Sequence, residues 1–115
     1  MKVAALAAAT VVILAPAAFA RTTGTTLVAT DGPGFTITLK EGVKNVTTLR
    51  AGNYTFKVED KSTIHNFHPT GPGINVKTSV VGVKTVVWKL KLTKGIYKYV
   101  CDPHATIMHG SFKVT

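Results

Sequence analysis

The sequence predicts an all-β fold, a Greek-key antiparallel β-sandwich, and three features predict it. Beyond residue 20, apolar and polar residues alternate with a period of two. Clusters of glycine, proline and asparagine interrupt the alternation at short intervals. No stretch beyond residue 20 carries a convincing helical period. Several short strands at this spacing suit a sandwich or barrel.

In chain order, "TTLVAT" (25–30) reads as a short strand. "FTITLK" (35–40) sets Phe35, Ile37 and Leu39 on one face. "VTTL" (46–49) reads as another short strand, and "YTFKVE" (54–59) alternates Tyr54, Phe56 and Val58. The 70–84 stretch is the least regular and reads as a loop with a weak strand. "TVVWKLKLT" (85–93) aligns Val86, Trp88, Leu90 and Leu92. "IYKYVC" (96–101) aligns Tyr97, Tyr99 and Cys101, and "SFKVT" (111–115) closes with Phe112 and Val114. Turn signals separate them at Asp31-Gly32-Pro33-Gly34, Glu41-Gly42, Ala51-Gly52-Asn53, Gly71-Pro72-Gly73 and Lys94-Gly95.

The first 20 residues differ in kind. Met1-Lys2 leads into an apolar run, Val3 to Ala15, then Pro16 and Ala18-Phe19-Ala20. This pattern describes a signal peptide over 1–20, cleaved before Arg21. An uncleaved anchor is the competing reading, but the run is short for a bilayer span. The expected product is exported, to the periplasm or the cell exterior. Residues 21–115 then form one domain of 95 residues. A lone cysteine, Cys101, allows no internal disulfide, so the core or a metal must hold this small domain.

Without Lys2 the chain keeps 13 basic and 5 acidic residues, a formal charge of +8. The lysines occur singly along strands, as on the solvated face of a sheet. They would also steer the domain toward an acidic partner surface. There is no nucleic-acid module and no basic cluster interleaved with aromatics, so no nucleic-acid partner is expected. No spare apolar face is evident, and a monomer is expected.

Chemistry concentrates in "CDPHATIMHG" (101–110), which holds the only cysteine, two of the four histidines and one of the two methionines. A cysteine closing an apolar strand is often a small buried hydrophobe. His104, three residues on, changes that balance, because a C-x2-H turn lets both side chains converge on one ion. Counting back by twos from Phe112 puts Gly110 and Met108 on the core side and His109 outside. Upstream, His65 shares parity with Phe67 and should point inward, whereas His68 should lie at the surface or rim. Thiolate, two imidazoles and a thioether are the donors of a blue-copper site: His65, Cys101, His104 and Met108.

"GIYKYVCDPHATIMHGSFKV" resembles the C-terminal copper loop of the cupredoxins, the plastocyanin, pseudoazurin and amicyanin family. The shared features are a Y-x-Y/F-x-C strand, C-x2-H, a methionine a few residues on, and M-x-G entering the last strand. His65-Asn66 is similar to the upstream ligand histidine and its following asparagine. The resemblance implies a cupredoxin-like domain with one type 1 copper ion at His65, Cys101, His104 and Met108. A plastocyanin-length loop would instead count to His109 as the axial position. It also implies an Asn66 N–H on the Cys101 sulfur, with the Asn66 side chain tying the two ligand loops together. Pro103 can offer no such N–H. Tyr97, soon after Gly95, is placed to form a tyrosine corner.

The expected function is a one-electron carrier between redox partners, one of them with an acidic docking surface. His104 beside Pro103, Ala105 and Ile107 would be the electron port, with the Gly71-Pro72-Gly73 loop at the same end. Copper storage, delivery or scavenging uses the same donors and is the alternative. Zinc could occupy the site in vitro. An enzyme is not expected: there is no nucleophile elbow and no carboxylate pair evidently suited to acid–base work.

Overall fold

The computed structural model describes residues 7–12 and 24–115. The signal-peptide reading and its cleavage point at Ala20 otherwise fall outside the described residues. Among the described residues, period-two alternation becomes ten strands in two five-stranded sheets. One sheet has the order β3-β2-β1-β5-β8, built from β1 (Thr25–Asp31), β2 (Ile37–Glu41), β3 (Lys44–Asn45), β5 (Gly52–Asp60) and β8 (Lys84–Leu92). The other has the order β4-β10-β9-β6-β7, built from β4 (Thr48–Leu49), β6 (His68–Gly71), β7 (Ile74–Asn75), β9 (Gly95–Val100) and β10 (His109–Val114).

The sheets are mixed, although the pattern predicts antiparallel pairing. β1 pairs parallel with β5, and β10 parallel with β4. Crossing between sheets is the cause. After β3 the chain forms β4 on the second sheet, then returns as β5 running beside β1 in the same direction.

Alternation puts one face of each strand into the core. Leu27, Ala29, Leu39, Phe56, Val58 and Leu92 from the first sheet meet Tyr97, Tyr99, Phe112 and Val114 from the second, with Phe67 between. Burying each large apolar side chain contributes about 1.5–3 kcal/mol. Tyr97 stacks on Phe112 and Phe67 on Tyr99. The Tyr97 corner forms as expected: its hydroxyl sits 3.0 Å from both Thr93 N and Thr93 O, and 3.1 Å from Pro72 O. Gly110 lies opposite Tyr99, and a Cβ there would collide with the tyrosine ring.

Register sorts the two ends of the sandwich. Asp31 pairs with Asp60 and Asp60 with Lys84, while His68 and His109 both pair with Val100. These residues mark the end where β9 runs into Cys101. The Gly71-Pro72-Gly73 turn is not there. It packs at the opposite end, where Pro72 lies against Gly95. The expectation that it flanks His104 is therefore wrong, because β6 runs away from the Cys101 end.

Candidate metal centre

Two segments supply the donors. His65 follows β5 on a turn tied by the Ser62 N–H to Asp60 Oδ1 at 3.2 Å and the Ile64 N–H to Ser62 Oγ at 3.2 Å. Cys101 follows β9 and leads into a 3-10 turn over Asp102–His104, with Pro103 in its first turn. The loop is closed at its base, with Cys101 N–H donating to Met108 O at 3.0 Å. Within it, His104 O accepts from Ile107 N–H at 3.0 Å and Met108 N–H at 2.8 Å. The loop holds its shape through its own backbone.

Three donor atoms converge. His65 Nδ1 lies 3.1 Å from His104 Nδ1, and each lies 3.6 Å from Cys101 Sγ. One ion at about 2.0–2.1 Å from nitrogen and about 2.3 Å from sulfur fits such a triangle. Cys101, His65 and Met108 are all 0% exposed, and His104 is partly exposed. Met108 is the inward residue of its pair and His109 the exposed one, as parity predicts. A soft donor triangle of two imidazoles and one thiol suits copper.

Burial pushes the Cys101 thiol up, and the charges of Asp31 and Asp102 add to that. Backbone N–H groups of Asn66 and His104 pull it back toward thiolate. Pro103 has no N–H, and in the 3-10 turn the His104 N–H donates to Cys101 O at 3.0 Å.

Asn66 also ties the loops by its side chain. Its Nδ2 donates to Asp102 Oδ2 at 2.7 Å and Thr78 O at 3.2 Å, and its Oδ1 accepts the Asp102 N–H at 2.8 Å. His68, read as a surface or rim residue, extends this clamp. Its Nδ1 sits 2.8 and 3.1 Å from the Asp102 oxygens, and its Nε2 sits 2.7 Å from Asn75 Oδ1. Desolvation lowers the His68 pKa, but the acceptors Asp102 and Asn75 raise it further, to a net value above the usual imidazole range. Burial works to raise Asp102, and the bonds from Asn66 and His68 nonetheless hold it below the usual carboxylate range.

Phe35 was placed on a core-facing strand, but β2 begins at Ile37, and Phe35 is 57% exposed. It stands edge-on to both imidazoles, with centroids 5.3 Å from His65 and 5.0 Å from His104. The Asp31-Gly32-Pro33-Gly34 turn just before it was the available signal, since it lets Phe35 leave the strand register.

This architecture is the cupredoxin fold. The solved structures it resembles are of rusticyanin. A methionine-to-glutamine mutant of rusticyanin is 22% identical, over 81% of this chain and 80% of that one, with a TM-score of 0.60. Reduced rusticyanin is 23% identical over 81% of each chain, with a TM-score of 0.56. Rusticyanin from Thiobacillus ferrooxidans is 24% identical over 81% and 79%, with a TM-score of 0.54. Rusticyanin is described as a copper protein. At these identities the likeness carries the fold. No family model matches the chain, and no curated protein matches it.

Proposed function

We propose that this chain carries single electrons between redox partners through one type 1 copper ion held by His65, Cys101, His104 and Met108. The observation that carries this reading is the triangle of His65 Nδ1, His104 Nδ1 and Cys101 Sγ, with sides of 3.1, 3.6 and 3.6 Å. Met108, buried at the inward position of the same loop, would add its thioether to the donor set in preference to exposed His109. Copper supplies the one-electron couple. A ligand loop fixed by its own backbone hydrogen bonds would keep the donors in place as the charge of the ion changes.

The remaining parts follow from the same end of the sandwich. His104 is the partly exposed ligand and the electron port. Phe35, Ile64 and Ile107, exposed on or beside the segments that approach the donors, form an apolar rim for brief docking. Scattered lysines favour an acidic partner. The protein is an exported monomer, periplasmic or extracellular, and not an enzyme. Among the described residues no helix is long and apolar enough to cross a membrane.

The test is a visible spectrum of residues 21–115 after addition of Cu(II), with Cys101→Ser alongside. An intense red-region band that the variant lacks is expected from thiolate-to-copper charge transfer. Tight Cu(I) binding with no coloured Cu(II) form would move the assignment to storage or delivery. No copper binding would overturn both.

A further inference from the structure

Asp31 and Asp60 close the metal-site end of the first sheet, outside the donor set. They are cross-strand partners on β1 and β5, and both point between the sheets at 0% and 1% exposure. Asp60 Oδ1 accepts the Ser62 N–H. Among the described residues, Asp31 Oδ1, Asp31 Oδ2 and Asp60 Oδ2 have no hydrogen-bond partner. Ionised carboxylates only accept, so two of them buried side by side repel and lose their hydration. A single proton turns one into a donor to the other and removes one buried charge.

Among the described residues no cation forms an ion pair with either carboxylate. Lys84 on β8 is the register neighbour of Asp60, and its charge favours ionised Asp31. Its Nζ, however, donates to Ser79 O at 3.1 Å and Val81 O at 2.8 Å. Lys61 gives its backbone N–H to Asp31 O, while its Nζ faces Glu59 at 3.9 Å. From β2 the register partner of Asp31 is uncharged Ile37. The metal site is close by. A Cβ on Gly32, the residue after Asp31, would lie 3.2 Å from His65 Cδ2, and the Asp31 charge acts on Cys101. Burial first, and Asp60 second, hold the Asp31 carboxyl up at about 8.

We propose that Asp31 and Asp60 form a proton-binding site whose single shared proton is taken up with the electron and released with it. The inference rests on the copper reading above. On reduction, a one-electron donor protein would be oxidised and copper held by the donor set reduced from Cu(II) to Cu(I), while one proton taken up from solvent forms an O–H bond on a carboxylate oxygen of the pair. On oxidation that bond breaks, and the proton returns to solvent. The direction follows from charge: reduction removes one positive charge beside Asp31, so the reduced protein binds the proton more tightly.

The test uses the copper-loaded and copper-free wild type, Asp31→Asn, and Asp60→Asn as a second variant. In copper-free wild type, aspartate carboxyl ¹³C NMR should show one carboxyl titrating near about 8. The sign for stability follows: a carboxyl raised from about 3.9 when unfolded costs stability as pH climbs toward its folded value. Thermal stability of copper-free wild type should therefore fall with rising pH, and Asp31→Asn should flatten that slope to the part that His68 contributes. In the copper-loaded wild type the midpoint potential should fall as pH rises, and become pH-independent in either variant. Ordinary carboxyl titration near about 4 in the copper-free wild type would overturn the proton site. A blue protein with the high-titrating carboxyl but a pH-independent potential would overturn the linkage and leave the pair structural. Absence of the thiolate–copper band would overturn the copper reading and the linkage with it, while the copper-free titration still reads the proton site.

Discussion

At the scale of single residues, Phe35 does work that its position in an alternating run conceals. Its ring covers the edges of both imidazoles while more than half of it meets water. Truncation should therefore cost little stability, about 1 kcal/mol, because little apolar area is lost from water. It should open His65, which is otherwise sealed, to solvent and small ligands. Phe35→Ala is expected to lose copper to an external chelator several-fold faster than wild type while melting within a few degrees of it. An unchanged stripping rate would show that Phe35 does not shield the donors. His68 makes a similar point from the other side. Its surface parity was legible, but its bond to Asp102 depends on where a separate loop arrives.

At the scale of elements, the ligand loop is rigid because its ends are fixed. Cys101 is held by β9, Met108 leads into β10, and the His104 carbonyl collects two N–H groups between them. The opposite end of β9 is anchored by Tyr97, whose hydroxyl joins Thr93 and the Pro72 turn. Tyr97→Phe keeps the ring stacked on Phe112 and removes only the hydroxyl. A loss of about 1–3 kcal/mol in denaturant unfolding is expected, since the carbonyl partners are left without their donor. The copper spectrum should be unchanged, because the corner and the donors sit at opposite ends of the strand. A shifted spectrum would contradict that separation. Period-two reading placed β5, β8, β9 and β10 well, since each shows one face to the core. It missed the parallel β1–β5 and β4–β10 pairings, because alternation says which face is buried and nothing about the neighbour's direction.

At the scale of the whole molecule, charge is the dominant property. The full chain carries a formal +9, and of the eight lysines on the described strands six lie on the first sheet. A field of this kind changes encounter rates more than affinity. Electron exchange of the copper-loaded protein with a small anionic redox reagent should slow as salt rises, and exchange with a cationic reagent should quicken. The Debye length shrinks from about 30 Å at 0.01 M to about 10 Å at 0.1 M, so the effect belongs to that range. Identical salt dependence for both reagents would show that net charge does not steer this protein.

The donor types, their spacing and their inward or outward parity were written in the chain. Cys101, His104 and Met108 share one loop, whereas His65 sits on a turn between strands where Asn66, of opposite parity, is buried as well. What the tertiary structure decided were the meetings between distant segments. It brought the two Nδ1 atoms to 3.1 Å, laid Phe35 across them, moved the Gly71-Pro72-Gly73 turn to the far end, and set Asp31 against Asp60. In sequence those two aspartates look like ordinary strand-end residues. They become a buried pair only because β5 returns alongside β1 in the same direction, and strand direction is a property of the assembled sheet.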